Sequence, residues 1–312
     1  MKVKFKFFLR AARHSFGGAV CVGMILLISI SAQAQNLFVD TGSYVTEITP
    51  GGVQSTFADL LYPCGLAFDG AGNLFVLSGD FDGYIVKFTP DGVQSIFGSG
   101  LIVSPKGMAI DSAGDIFAAS GNERSGYSYN NNIYKYTPDG LRSIFASGME
   151  CYGLTFNSAG DLFAADLISG NIYEITPDGT QSTFASGLND PSGLAFNSEG
   201  DLFVADNGSG NIYEYTPSGA QCTFASELNG PLGLAFDSTG DLFETDNGSG
   251  NIYKFTPDGT RSTFSTFAYG GRDPILLAFQ PVPEPSALAL LAVGVTALLV
   301  CHRRNSLRSQ AA

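Results

Sequence analysis

The chain has 312 residues, 44% of them hydrophobic, with 29 acidic against 16 basic residues. Eight of the basic residues (Lys2, Lys4, Lys6, Arg10, Arg13, Arg303, Arg304 and Arg308) and one acid, Glu284, fall outside residues 35–281, so that stretch carries a charge of about −20. A field of that sign repels nucleic acid and anionic lipid, which argues against both as partners, and leaves divalent cations, basic proteins and neutral glycans open.

Residues 1–34 begin with a basic region, continue through the apolar Ala19 to Ile30 and end on Ala32-Gln33-Ala34, an A-x-A cleavage pattern. The segment reads as a secretory signal peptide with Ala34 the last residue removed. The alternative is an uncleaved membrane anchor, for which a 12-residue run falls short of the roughly 20 that span a bilayer.

From Asn36 the sequence repeats. Pro191 to Ser226 recurs almost word for word from Pro231, forty residues later. Each copy holds four short apolar runs separated by Gly, Asn, Asp and Pro clusters, the pattern of four antiparallel strands joined by tight turns. A period near forty with four strands per unit predicts propeller blades.

The GL(A)F-type first strand appears at Gly65, Gly107, Gly153, Gly193 and Gly233, and in worn form at Leu276 to Phe279. Second strands carry Leu-Phe or Ile-Phe from Leu37, Leu74, Ile116, Leu162, Leu202 and Leu242. Third strands are expected to end in Thr-Pro at Pro50, Pro90, Pro138, Pro177, Pro217 and Pro257, and fourth strands carry Phe57, Phe97, Phe145, Phe184, Phe224 and Phe264. Each element occurs six times.

The chain enters at a second strand and leaves after a first strand, so Leu276 to Phe279 is expected to pair with Asn36 to Asp40 and remove the open edges of the ring. The reading is therefore all-β: one six-bladed propeller of four-stranded blades over residues 35–281, with the Phe and Leu of the runs filling the space between blades.

The turns agree. Asp237-Ser-Thr-Gly240-Asp241 and its counterparts at Asn197 and Asp111 join first and second strands, and Thr-Pro-Asp-Gly joins third and fourth strands at 89–92, 137–140, 176–179 and 256–259. Asx side chains bond turn backbone and Gly accepts positive φ. These loops are too short for an EF-hand and lack its bidentate Glu. One blade is irregular: Ser120 to Asn131 exceeds its counterparts by some six residues. Inserted loops are where binding residues concentrate, so Arg124, Tyr127 and Tyr129 are candidates, the alternative being a neutral insertion.

After Pro281 the composition changes. Val282-Pro283-Glu284-Pro285-Ser286 precedes an apolar run, Ala287 to Cys301, and then His302-Arg303-Arg304. These three parts in this order resemble the PEP-CTERM sorting signal, which covers residues 282–312 here. The resemblance implies a Gram-negative protein exported through the inner membrane. A C-terminal helix would hold it there until an exosortase-type enzyme processes it near the PEP motif, and its destination would be the cell surface or extracellular matrix. An apolar run followed by arginines reads independently as an anchor whose end lies in the cytoplasm. The run from Ser286 to Cys301 is short, 16 residues, so mismatch or processing is expected.

At the level of GLAF, DLFVAD and NIYEYTPSG, residues 36–280 resemble NHL-repeat propellers and the wider six-bladed group that includes gluconolactonase-like proteins and virginiamycin B lyase. That resemblance implies architecture; the group contains hydrolases, lyases and pure binding modules. The two histidines, His14 and His302, both lie outside the repeats, so a Ser–His pair, a lyase-type His base and a His-ligated metal are excluded there. In gluconolactonase-like proteins an Asn or Asp before the Gly of an innermost strand ligates metal. The matching positions here are Cys64, Lys106, Tyr152, Ser192 and Leu232, so that site does not carry over.

Asp166, Asp206 and Asp246 recur three residues after the Phe of three consecutive second strands. They either bond the backbone of their own loops or form a carboxylate rim for a cation or sugar hydroxyls. No cofactor is called for, with Ca2+ the candidate if the rim exists. Cys64, Cys151 and Cys222 are expected to be isolated buried thiols. The function expected is a non-catalytic module that binds a polysaccharide or protein. The alternative is a His-independent, cation-assisted hydrolase or lyase.

Overall fold

A computed structural model describes residues 35–79, 83–102, 105–120, 131–267 and 275–282. The signal peptide, Arg124, Tyr127 and Tyr129, and the sorting-signal residues after Val282 (Pro283, Glu284, Pro285, Ser286, Arg303 and Arg304) lie outside the described residues.

The strands form six four-stranded antiparallel sheets. Blade 1 holds β1 (Leu37–Asp40), β2 (Tyr44–Ile48), β3 (Gln54–Asp59) and, from the other end of the chain, β24 (Leu277–Phe279). Blade 2 holds β4 (Pro63–Phe68), β5 (Leu74–Ser78), β6 (Gly83–Phe88) and β7 (Gln94–Ile102). Blade 3 holds β8 (Pro105–Ile110), β9 (Ile116–Ser120), β10 (Asn132–Tyr136) and β11 (Arg142–Ser147). Blade 4 holds β12 (Cys151–Phe156), β13 (Leu162–Asp166), β14 (Asn171–Ile175) and β15 (Gln181–Ala185). Blade 5 holds β16 (Pro191–Phe196), β17 (Leu202–Asp206), β18 (Asn211–Tyr215) and β19 (Gln221–Ala225). Blade 6 holds β20 (Pro231–Phe236), β21 (Leu242–Asp246), β22 (Asn251–Phe255) and β23 (Arg261–Thr266).

Burial changes across a blade because each strand meets a different neighbour. Second strands such as β13 and β17 are buried along their whole length, since a blade covers each face. Fourth strands present Gln-Ser-Thr (β15) or Arg-Ser-Thr (β23) to solvent at the rim. Each second-strand Phe meets a fourth-strand Phe of its own blade edge-on, as Phe163 meets Phe184 at 5.1 Å. In most seams it also meets the first-strand Phe of the next blade. Phe163–Phe196 and Phe203–Phe236, both at 5.0 Å, are two such contacts, while Ile110 takes that place between blades 2 and 3. Such edge-to-face pairs are the favoured aromatic geometry, and they explain why Phe recurs in GLAF and DLF.

The Gly of GLAF has a separate cause. A Cβ on Gly107, Gly153 or Gly193 would lie 2.0, 2.0 or 2.1 Å from the carbonyl oxygen of Tyr152, Ser192 or Leu232 on the next inner strand. The inner strands thus approach too closely for any side chain. Thr-Pro pairs begin the outer turns rather than end third strands: β14 stops at Ile175, and the Thr176 hydroxyl donates to Asp178 at 2.5 Å while the Gly179 N–H closes on Thr176 O at 2.8 Å. Pro177 fits there because it has no N–H to give a ladder.

The ring closes as the order of runs predicts. β1 pairs with β24 in the register Leu37↔Phe279, Phe38↔Ala278 and Val39↔Leu277. Phe279 lies 4.8 Å from Phe243, so the closing seam repeats the aromatic contact of the others.

Candidate functional site

Loops between second and third strands, and loops from one blade to the next, share one face of the ring, here called the loop face. The other two kinds of turn share the opposite, turn face. On the loop face Asp166, Asp206 and Asp246 end β13, β17 and β21, and all three carboxylates are buried.

Asp166 accepts from the Ile168 N–H at 3.1 Å and the Ser169 hydroxyl at 2.8 Å. Asp206 accepts from the Ser209 hydroxyl at 2.5 Å and from the Asn189 N–H, on the loop entering blade 5, at 2.7 Å. Asp246 likewise accepts from the Ser249 N–H at 3.0 Å and the Asn229 N–H at 2.7 Å. Each carboxylate caps its own loop, and two of them also fasten the loop that enters the same blade. Burial pushes the Asp206 carboxyl up, the Ser209 and Asn189 bonds pull it back, and the charge of Asp190 adds to the rise.

The repeat thus brings the three aspartates to equivalent places in successive blades without gathering them into one cluster. Among the described residues no three His, Cys, Asp or Glu side chains converge as a metal site. Each carboxylate commits acceptor capacity to the backbone and hydroxyls of its loops. Removing the acceptor is expected to show this: Asp246→Ala strands the Asn229 and Ser249 amides and should cost about 1–3 kcal/mol. Asp246→Asn keeps one acceptor oxygen and should cost less, both read from urea unfolding midpoints.

The positions before the inner glycines are arranged around the axis. The Lys106 ammonium stands over the Tyr152 ring, 5.6 Å from its centroid. The Ser192 hydroxyl reaches the Ala205 and Leu232 carbonyls, each at 3.2 Å, and Cys64 Sγ lies 3.5 Å from Leu77 O. Burial, reinforced by the charge of Asp40, pushes the Tyr152 phenol up to about 12.

Two buried carboxyls are absent from the sequence reading. Asp40, at 0% exposure, occupies in blade 1 the place of Thr245 in blade 6. The Thr245 hydroxyl accepts from Gly233 N–H and donates to Ile275 O, both at 2.7 Å, bridging two inner strands. Neither oxygen of Asp40 completes a hydrogen bond; burial holds its carboxyl well above the usual range, offset in part by the backbone amides of Leu276 and Gly42. A protonated Asp40 can donate as the Thr245 hydroxyl does. Glu244, also at 0% exposure and without a hydrogen-bond partner, lies between blades 5 and 6 and is raised by burial and by the charge of Asp246.

The thiols differ from expectation. All three are free, but only Cys151 is buried; Cys64 is half-buried and Cys222 is exposed on the outer strand β19. Burial pushes the Cys64 and Cys151 thiols up. Partial desolvation and the neighbouring Glu214, which accepts from Sγ at 3.5 Å, raise Cys222 as well, the reverse of what an activated nucleophile needs.

The fold has many counterparts among solved structures. A chain of the nidogen/laminin complex superposes with a TM-score of 0.70 at 17% identity, over 81% of this chain and 100% of that one. Virginiamycin B lyase from Staphylococcus aureus gives 0.56 at 20% identity, over 69% and 73%. A protein of unknown function from Bacteroides caccae gives 0.61 at 14%, over 80% and 100%. At these identities the likeness is one of fold. No curated protein matches the sequence. Residues 188–212 match the NHL repeat and residues 281–304 the PEP-CTERM protein-sorting motif. The chain is a six-bladed β-propeller with an NHL repeat in its fifth blade, and it ends in a PEP-CTERM signal, which indicates export and membrane-anchored sorting by an exosortase-type enzyme.

Proposed function

We propose that this protein is a non-catalytic binding module, exported behind a signal peptide (residues 1–34), that meets an extended polysaccharide or a protein partner at the cell surface or in the matrix through its loop face. The observation that supports it is the inward commitment of Asp166, Asp206 and Asp246. Their oxygens hold loops in shape, and blades 5 and 6 present the same Asn-Gly-Ser-Gly loop, Asn207 to Gly210 and Asn247 to Gly250, in succession. Repeated rigid surfaces suit many weak contacts along one partner. Arg124 and Tyr127, on the insertion within the same set of loops, are proposed to add to that surface.

Perturbed carboxyls in an enzyme stand in a cleft that substrate can enter. Asp40 and Glu244 are sealed between strands, and the exposed thiol of Cys222 is raised rather than activated. Both facts weigh against the hydrolase or lyase alternative. Calorimetry on residues 35–282 with Ca2+ and a panel of glycans, repeated with Asp166→Asn, Asp206→Asn and Asp246→Asn combined, tests the reading. Saturable binding without turnover is expected. Metal-dependent turnover of a lactone or ester, lost in the triple variant, would establish the enzyme instead.

A further inference from the structure

We infer that, while its C-terminal segment is held in the membrane, the propeller rests with the turn side of blade 1, around Val53, against the bilayer, and turns its loop face away. The inference rests on the membrane-anchored sorting of the chain and adds an orientation to it.

Its first support is where the chain leaves the ring. The Gln35 side chain donates to Gln280 O at 2.7 Å and accepts from the Ser238 N–H, in a turn of blade 6, at 2.8 Å. Both ends of the propeller therefore emerge on the turn face, and β24, which leads to the tail, is the innermost strand of blade 1.

The second support is length. Seven residues, Gln280 to Ser286, separate β24 from the apolar run that starts at Ala287. From Phe279 to Ala287 that is eight residue steps, which reach at most about 29 Å. To place the loop face on the membrane, the tail would have to cross from the inner to the outer strand and then run the height of a blade, about 35 Å from strand spacing and rise. That orientation is out of reach. Resting on the turn face, or tipping onto the rim of blade 1, is within reach, and both bring the corner at Val53 to the lipid.

The third support is charge. Blade 1 has no first-to-second turn, because the two chain ends occupy that place, and its outer turn reads Thr49-Pro-Gly-Gly-Val53 where others carry Asp91, Asp139, Asp178 or Asp258. Blade 5, whose outer turn holds Ser218, still carries Glu199 and Asp201 in its other turn. Blade 1 is thus the one sector whose turns carry no acidic residue. Val53 is 67% exposed there, and Val93 and Leu141 stand exposed at the same corner of blades 2 and 3, where blades 4 to 6 have Thr180, Ala220 and Thr260. A neutral apolar corner tolerates a lipid surface that the rest of the acidic ring would avoid.

The test uses the chain purified from membranes with its C-terminal segment intact, carrying Cys222→Ser and Cys301→Ser, in phosphatidylcholine vesicles with headgroup-attached nitroxide lipids. A fluorophore is placed at Val53→Cys or at Ile168→Cys, the latter 74% exposed on the loop face of blade 4, across the ring. Several-fold stronger quenching at residue 53 than at residue 168 is expected. Inserting about twenty Gly/Ser residues after Val282 should erase the difference by freeing the ring. Flotation on the same samples separates the failures. Protein that floats but is quenched equally at both positions overturns the orientation and leaves membrane anchoring intact. Protein that does not float overturns both.

Discussion

Changing Glu244 to Val is expected to stabilise the propeller by about 1–3 kcal/mol at pH 7, the usual penalty of a buried polar group left without a hydrogen-bond partner. Both Glu244 oxygens lack partners at 0% exposure, and the equivalent residues in blades 1 to 5 are Val39, Val76, Ala118, Ala164 and Val204. Valine is therefore a side chain this seam already accepts. The gain should appear as a higher urea midpoint with an unchanged slope. An unchanged or lower midpoint would mean that the carboxyl has a compensating partner.

The same group sets a pH dependence. Burial and the charge of Asp246 raise Glu244 in the fold, against a smaller pull from Arg261, and burial raises Asp40. Both hold protons in the folded state that the unfolded chain releases above about pH 4. Their share of stability is therefore complete below about pH 4. It falls by about 1.4 kcal/mol per pH unit for each group as pH rises, until that group's folded pKa is passed. Asp178 and Asp258 act in the opposite sense, since the Thr176 and Thr256 hydroxyls lower them, but both sit in exposed turns. Wild-type protein should thus lose stability from pH 5 to pH 8, and Glu244→Val should lose less.

The architecture was legible because it is written six times. Turn residues, the Phe pairs and the order of runs at the two ends each point to one closed ring, and the Thr-Pro pairs alone are displaced, into the turns. Asp40 and Glu244 escaped for a physical reason. A polar residue in an alternating strand ordinarily marks a solvent-facing side, but a second strand of a propeller has a blade on each face and no such side. The signal was available by column rather than by run: Glu244 stands in a column of Val and Ala, and Asp40 in one holding Leu77, Ala119, Ala165 and Ala205. The same comparison places Cys222 among Ser55, Ser95, Ser143, Ser182 and Ser262 on outer strands, which explains its exposure. Asp166, Asp206 and Asp246 were found by their repetition. Their loop-capping bonds follow from an Asx at the start of a tight turn, whereas the reach of Asp206 and Asp246 to the neighbouring loop depends on how blades meet, which no local pattern carries.

Phe243→Ala and Phe203→Ala are expected to destabilise the ring alike, each by about 3–5 kcal/mol, the usual cost of emptying a buried Phe site. Phe203 lies in the seam between blades 5 and 6, with Phe224 and Phe236 both at 5.0 Å. Phe243 lies in the closing seam, with Phe264 at 4.9 Å and Phe279 at 4.8 Å, packed against Leu37, Val39 and Leu277. The two sites have the same aromatic geometry, but the second is completed by a three-residue strand from the far end of the chain. That strand must be held by its register with β1 and by flanking backbone bonds, Asp40 N–H to Leu276 O, Ile275 N–H to Asp40 O and Gln280 N–H to Asn36 O, each 3.0 Å. If those contacts keep the ring shut, emptying the closing seam breaches the one cooperative core and its cost equals that of any other seam. If β24 frays in solution, the seam is already partly open. Phe243→Ala would then cost less than about 1 kcal/mol while Phe203→Ala kept its full effect. Hydrogen exchange at Leu37 to Val39 reports on the same seam directly: protection as deep as in Leu202 to Val204 is expected, and rapid exchange there would show that the ring does not close.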